Sequence, residues 1–240
     1  TRNRFFGNAN ATIDLAEGLS ATGRMGTDYY QFSGRNGIPI ASVETAVYNE
    51  SEIRFQETNL EGRLNYTKTF SDNFSLSAMV GGNSMRQLSR RTDLNSNGGL
   101  SLEGFYNISN SAAAPVIGTN EALRGINSVF GQVNLGFLDM IYLDLTARND
   151  WSSTLPEGEN SYFYPSAAAS FIVSELAAFE NISAIDFLKV RASYAQVGND
   201  AAPYRLVDVY NPITPNLNGL PRYGVPNSQN NPNLRPERTS

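Results

Sequence analysis

The chain has 240 residues, 40% of them hydrophobic and 17% charged, below the roughly 45–50% and 25% of an ordinary soluble domain. Asn, Ser, Thr, Gly and Tyr fill the gap, a mixture suited to strands with one polar face. A net charge of −5 with a pI near 4.9 argues against nucleic acid as a partner. The total absence of Cys and His excludes disulfides, thiol nucleophiles, Cys/His zinc sites and imidazole bases.

Of the 18 basic residues only Lys68 and Lys189 are lysines, and the arginines are dispersed. No stretch approaches the roughly 20 apolar residues of a transmembrane helix. Thr1 opens no basic-then-apolar leader.

Strand-like alternation recurs along the chain. In "ANATIDLA", Ala9, Ala11, Ile13 and Leu15 oppose Asn10, Thr12 and Asp14, and Glu17-Gly18 predicts a tight turn before "LSATGRMGTD". "LEGRLNYTKTF" places Leu60, Leu64, Tyr66 and Phe70 on one side and Glu61, Arg63, Asn65, Thr67 and Thr69 on the other. A turn at 71–73 returns the chain through "FSLSAMVGG", with Phe74, Leu76, Ala78 and Val80 apolar.

"VFGQVNLGF" then sets Val129, Val133, Leu135 and Phe137 against Gln132 and Asn134. After a turn at 138–140, Ile141, Leu143, Leu145 and Ala147 oppose Asp144, Thr146, Arg148 and Asp150. "SYFYPSAAASFIV" runs back, "SELAAF" predicts a one-turn helix, and "FLKVRASYAQVGND" places Leu188, Val190, Ala192 and Tyr194 against Lys189, Arg191 and Ser193. The count is about eight strands of the roughly 9–11 residues that a tilted membrane strand requires.

The connections near 17–18, 71–73, 138–140 and 174–184 are short or compact. Those near 29–55, 91–126, 152–160 and 199–236 are read as long loops rich in Gly, Asn, Ser and Pro. Long structureless loops are uncommon in soluble domains, whereas outer-membrane barrels place short turns on the periplasmic side and long loops outside. The predicted fold is therefore all-β, an antiparallel transmembrane β-barrel segment. Strands starting at Leu19, Phe74, Ile141 and Ile185 are expected to run outward. A soluble β-sandwich alternates in the same way, and a carbohydrate-binding sandwich is the competing reading.

Several motifs carry a resemblance. "ARNDWSSTLPEGENSYFYPSAAASF" (147–171), "LKVRASYAQVGNDAAPY" (188–204) and "NPNLRPERTS" (231–240) resemble the barrel region of SusC/RagA-type TonB-dependent outer-membrane transporters. "YTKTFSDNFSLSAMVGGN" (66–83) looks like the strand pair ahead of that region. The residues that match are Arg148, Asp150, Trp151, Tyr162–Ser166, Lys189, Arg191, Tyr194, Gly198–Asp200 and Leu234–Glu237. The resemblance implies a barrel of roughly 22 strands around an N-terminal plug, in the outer membrane of Bacteroidota. It implies import of oligosaccharides, glycans or peptides under a SusD-like surface lipoprotein, driven through TonB, with no cofactor and no enzymatic step. Residues 1–240 are expected to be part of the barrel alone, with plug, TonB box and terminal strands outside this chain. A siderophore or vitamin receptor on the same scaffold is the alternative within the family.

The candidate sites follow from the same pattern. Asp144, Arg148, Asp150 and Arg191 are expected on the lumenal face, where they bind plug or solute, or form an ion-pair network that solvates the wall. Trp151, Tyr162, Phe163 and Tyr164 are expected as an aromatic girdle against outer-membrane lipid, or as stacking surfaces for sugar rings. Tyr204, Tyr210 and Tyr223 belong to the extracellular loop best placed to touch a lid or solute. Glu157 and Glu159 lack the spaced ligand loop of a calcium site, so no metal is assigned. The Asn-x-Ser/Thr sequences at Asn10, Asn65, Asn107 and Asn181 read as accidents of composition.

Overall fold

The computed structural model describes residues 1–39, 45–176, 178, 179 and 186–240. Eight strands form one sheet in chain order: β1 (Arg2–Ala16), β2 (Leu19–Ile38), β3 (Val47–Ser71), β4 (Phe74–Leu100), β5 (Ser111–Phe137), β6 (Ile141–Ser152), β7 (Ser161–Ile172) and β8 (Lys189–Ala195). Each strand pairs with its sequence neighbour, the simplest outcome of short connections. Two small sheets complete the chain. β9 (Val197–Asn199) pairs with β12 (Glu237–Thr239), and β10 (Asn211–Leu217) pairs with β11 (Leu220–Gly224).

Turn chemistry fixes the hairpins. Gly18 has φ +73°, and a Cβ there would run into the Thr67 carbonyl, while the Gly18 carbonyl accepts from Thr67 N–H at 2.7 Å. Only glycine satisfies both demands. At the β5–β6 turn Leu138 and Asp139 adopt φ 57° and 55°, closed by Met140 N–H to the Phe137 carbonyl at 3.1 Å. Two consecutive left-handed residues match the twist of the flanking strands.

Contacts divide the chain into two units, and β1–β5 contribute residues to both. One comprises Thr1–Ala9, Arg24–Leu60 and Met85–Arg124, and the other Asn10–Gly23, Glu61–Ser84 and Gly125–Ser240. In the first, the buried residues are Ala46, Tyr48, Gly99 and Asn110. Tyr48 N–H donates to Ser96 Oγ at 2.9 Å, and the Asn110 side chain bonds three backbone groups of residues 102 and 105. In the second, burial gathers around β6 and β7 at Ser128, Asp150, Ser152, Thr154, Leu155 and Tyr162.

Three expectations need correction. The stretches 29–55 and 91–126 are largely ladder rather than loop. β2 runs on to Ile38, β3 begins at Val47, β4 reaches Leu100 and β5 begins at Ser111. Backbone hydrogen bonding does not need an apolar face, and polar pairs such as Arg90–Glu121 and Gln31–Glu52 replace the apolar alternation there. Residues 199–236 likewise contain a hairpin, turned at Asn218-Gly219 with φ 53° and 80°. The predicted helix in 174–179 is a 3-10 turn at Val173–Glu175. Asn181 and the expected strand start at Ile185 lie outside the described residues.

Candidate functional site

Register defines two faces. Across β5, β6 and β7, one face carries Val133, Leu145 and Ala167, then Leu135, Leu143 and Ala169, then Phe137, Ile141 and Phe171. Val190 and Tyr194 extend it onto β8. These residues are open: Val129 is 52% exposed, Leu145 40% and Val190 57%. The opposite face carries Ser128–Asp150–Tyr162, Phe130–Arg148–Tyr164, Gln132–Thr146–Ser166 and Asn134–Asp144–Ala168 in successive rows. Hydrophobic side chains are thus exposed while polar ones are bonded and covered, the reverse of a soluble sandwich.

The polar face holds one dense cluster. The Asp150 carboxylate, 6% exposed, accepts from Arg148 Nε at 2.7 Å and from the Tyr164 hydroxyl at 2.5 Å. A second Arg148 nitrogen donates to Ser128 Oγ at 2.7 Å, and the guanidinium lies 5.5 Å from the Phe130 ring centroid. A carboxylate this covered must have its charge and lone pairs answered, and residues of β5, β6 and β7 together do so.

The next layer comes from the end of β6 and the end of β9. Ser152 Oγ, the most deeply buried side chain described, hydrogen-bonds Asp200 at 2.5 Å, and the Thr154 hydroxyl donates to the same oxygen at 3.0 Å. Gly198 lies against the Tyr162 ring so closely that a Cβ would sit 2.6 Å from it, and Tyr162 stacks on Tyr164 with centroids 5.9 Å apart. β12 closes the arrangement, with Arg238 opposite Gly198 and Glu237 opposite Asn199. Arg235 approaches Glu159 at 3.5 Å. Three of the stretches that carry the sequence resemblance, 147–171, 188–204 and 231–240, therefore converge on one clasp.

This placement sorts the expected site residues. Arg148 and Asp150 meet, but Asp144 bonds Asn134 instead. Arg191 sits opposite Ser170, which pairs with Tyr142, six residues or about 20 Å along β6 from Arg148. The aromatics divide: Trp151 and Phe163 project on the exposed apolar face at 41% and 52%, whereas Tyr162 and Tyr164 belong to the polar face. A girdle of all four is incompatible with strict alternation, because Phe163 must point away from both tyrosines. Tyr204, Tyr210 and Tyr223 are largely exposed, Tyr223 within β11 opposite Pro212. Among the described residues no group of acidic side chains is arranged to hold a metal.

Sequence reasoning missed Ser128, Phe130, Ser152, Thr154, Gly198 and Asp200 as members of the cluster. Period-two parity with Asp150 and Arg148 across the 138–140 turn marks Ser128 and Phe130. Ser152 has the same parity as Asp150. Gly198 and Asp200 stand in the resembling "VGND" run, but nothing in that run ties Asp200 to Ser152, 48 residues away.

An up-and-down antiparallel sheet with an open apolar face and a bonded polar face is a section of β-barrel wall of the outer-membrane type. The TonB dependent receptor-like, beta-barrel family model matches residues 1–240. The chain belongs to that family of outer-membrane β-barrels. It is 33% identical over 187 residues to TonB-dependent receptor P26 of Formosa agariphila, covering 76% of this chain and 19% of the relative. It is 23% identical over 209 residues to TonB-dependent receptor P39 of the same organism, covering 84% and 20%. The chain thus spans about a fifth of the length of these relatives. Among solved structures, the RagAB peptide importer in its closed-closed state matches with TM-score 0.76 at 19% identity, covering 99% of this chain and 27% of that one. The open-open state matches with TM-score 0.71 at the same identity and coverage. These likenesses establish the fold.

Proposed function

We propose that this chain forms part of the barrel wall of a longer TonB-dependent importer of oligosaccharides, glycans or peptides in the bacterial outer membrane. It works with a SusD-like surface lipoprotein and with TonB, which engages a part of the protein outside this chain. The wall does no bond chemistry. The observation that carries the reading is the division of faces: open apolar ladders on one side, a hydrogen-bonded polar surface on the other. The first suits acyl chains and the second a wet lumen that holds a plug and passes a polar solute.

Within this reading Trp151 and Phe163 are interfacial anchors, and Tyr204, Tyr210 and Tyr223 are the side chains offered to the lid. Asp150, Arg148 and Tyr164 brace the wall, while Asp144 and Arg191 line the lumen further along. Residues 1–240 contain no cysteine, and the test is run in a full-length receptor freed of any cysteine outside them. Gln132→Cys and Val133→Cys are introduced singly into the full-length receptor in outer-membrane vesicles and treated with a membrane-impermeant maleimide. Gln132→Cys should label and Val133→Cys should not. Equal labelling of the two, or a protein that stays soluble without detergent, overturns the proposal.

A further inference from the structure

A second cluster lies on β1, β2 and β3, wholly within the unit built from Thr1–Ala9, Arg24–Leu60 and Met85–Arg124. Ladder bonds between Thr1 and Ser33 at 2.7 and 2.8 Å set the register of β1 on β2. Arg2, Arg4 and Phe6 then share a face with Asp28 and Tyr30, in phase with the polar residues Asn10, Thr12 and Asp14 further along β1. The Tyr30 and Phe55 rings stack with centroids 5.0 Å apart at 15°. Arg2 places its guanidinium 4.4 Å from the Tyr30 centroid. Arg4 grips Asp28 through two bonds, Nε to Oδ1 at 2.9 Å and Nη2 to Oδ2 at 2.6 Å, and lies 5.2 Å from the Phe6 ring.

The two arginines differ in what they leave open. Arg4 has both Asp28 oxygens. Arg2 is exposed, and the carboxylate its charge acts on, Asp28, already has both oxygens held by Arg4. A guanidinium lying over a ring keeps its in-plane N–H edge for a planar acceptor, and that edge matches a carboxylate in two-point fashion. The aromatic stack holds the cation in orientation and offers an apolar shelf beside it.

We propose that Arg2, set on the Tyr30–Phe55 stack, binds the carboxylate of a solute passing along the polar face. The carbon skeleton next to that carboxylate lies on the rings. The assignment rests on the reading of this face as lumenal. A peptide with a free acid and an oligosaccharide containing uronate present the same group, and the test separates them.

The full-length receptor in detergent is titrated calorimetrically at low salt with four probes. These are tetra-alanine with a free C-terminus, its C-terminal amide, tri-galacturonate, and the methyl ester of that trisaccharide. In at least one pair the acid should bind about 10- to 100-fold more tightly than its neutral counterpart, the range for a hydrogen bond to a charged group. The pair that discriminates identifies peptide or sugar acid as the source. Arg2→Gln should abolish the preference, and Arg2→Lys should retain a weaker one, because ammonium is a point charge without the planar fork. Equal affinities within both pairs, no binding of any probe, or a preference that survives Arg2→Gln overturns the assignment. If the Gln132→Cys and Val133→Cys contrast persists in that case, the carboxylate site alone falls; if the contrast is absent too, the lumenal reading falls with it.

Discussion

Replacing Asp150 with alanine removes the acceptor shared by Arg148 Nε and the Tyr164 hydroxyl. A hydrogen bond to a charged group contributes about 1.5–3 kcal/mol, so the two together give about 3–6 kcal/mol. Breaking a buried ion pair by deleting one partner costs about 3–5 kcal/mol, and the low end applies because the Arg148 side chain left behind is 38% exposed and can rehydrate. The two estimates meet near 3 kcal/mol, or about a hundredfold in the unfolding equilibrium at 1.4 kcal/mol per decade. Asp150→Asn keeps the volume and one acceptor, and should cost roughly half as much. Tyr164→Phe removes a single donor, so about 1–3 kcal/mol is expected. Equilibrium unfolding of the detergent-solubilised receptor in denaturant measures all three. Trp151, the only tryptophan in residues 1–240, sits one residue from the substitution and serves as the emission probe once tryptophans elsewhere in the receptor are replaced by phenylalanine. An Asp150→Ala midpoint equal to wild type, or a Tyr164→Phe loss exceeding that of Asp150→Ala, refutes the account of the clasp.

Three further outcomes are expected. Gly198→Val should destabilise by about 1–3 kcal/mol through overpacking against the Tyr162 ring, and Tyr162→Ala in the same protein should recover part of the loss in the same denaturant titration. Leu145→Arg should lower the yield of heat-modifiable barrel in vesicles, since arginine on a lipid-facing strand near the midplane costs about 2–4 kcal/mol. Its neighbour Thr146→Arg, on the other face, should leave that yield unchanged on an unheated gel. Gly18→Ala should cost at least about 1 kcal/mol, from left-handed backbone and collision with the Thr67 carbonyl together, read as a lowered thermal transition.

Period-two alternation made β6 and the inner parts of β3, β4 and β5 legible, because one face there is uniformly apolar. Where the two-residue period lapses, into mixed residues over 29–38 and into the apolar run 112–117, the ladder continues although the alternation is lost. Those segments were read as loops for that physical reason. The β10–β11 hairpin carried a usable signal in Asn218-Gly219, hidden by flanking prolines at positions 212, 215 and 221. Arg148 and Asp150 were legible as partners from their shared parity. The acidic cap on Ser152 and Thr154 was not, because Asp200 reaches them only through β9, and sequence distance says nothing of that return.

The proline in "SYFYPS" has a consequence for how the sheet ends. Pro165 accepts from Gln196 N–H at 3.0 Å, but the return bond to Gln196 cannot form, because proline has no amide hydrogen. The β7–β8 zipper stops one residue earlier, at Ser166 opposite Ala195. From there β7 and its neighbour part like the arms of a fork. The departing chain pairs instead with β12 as β9, and its Gly198 lies against the Tyr162 and Tyr164 rings. A single missing hydrogen thus sets where two neighbouring staves of the wall separate.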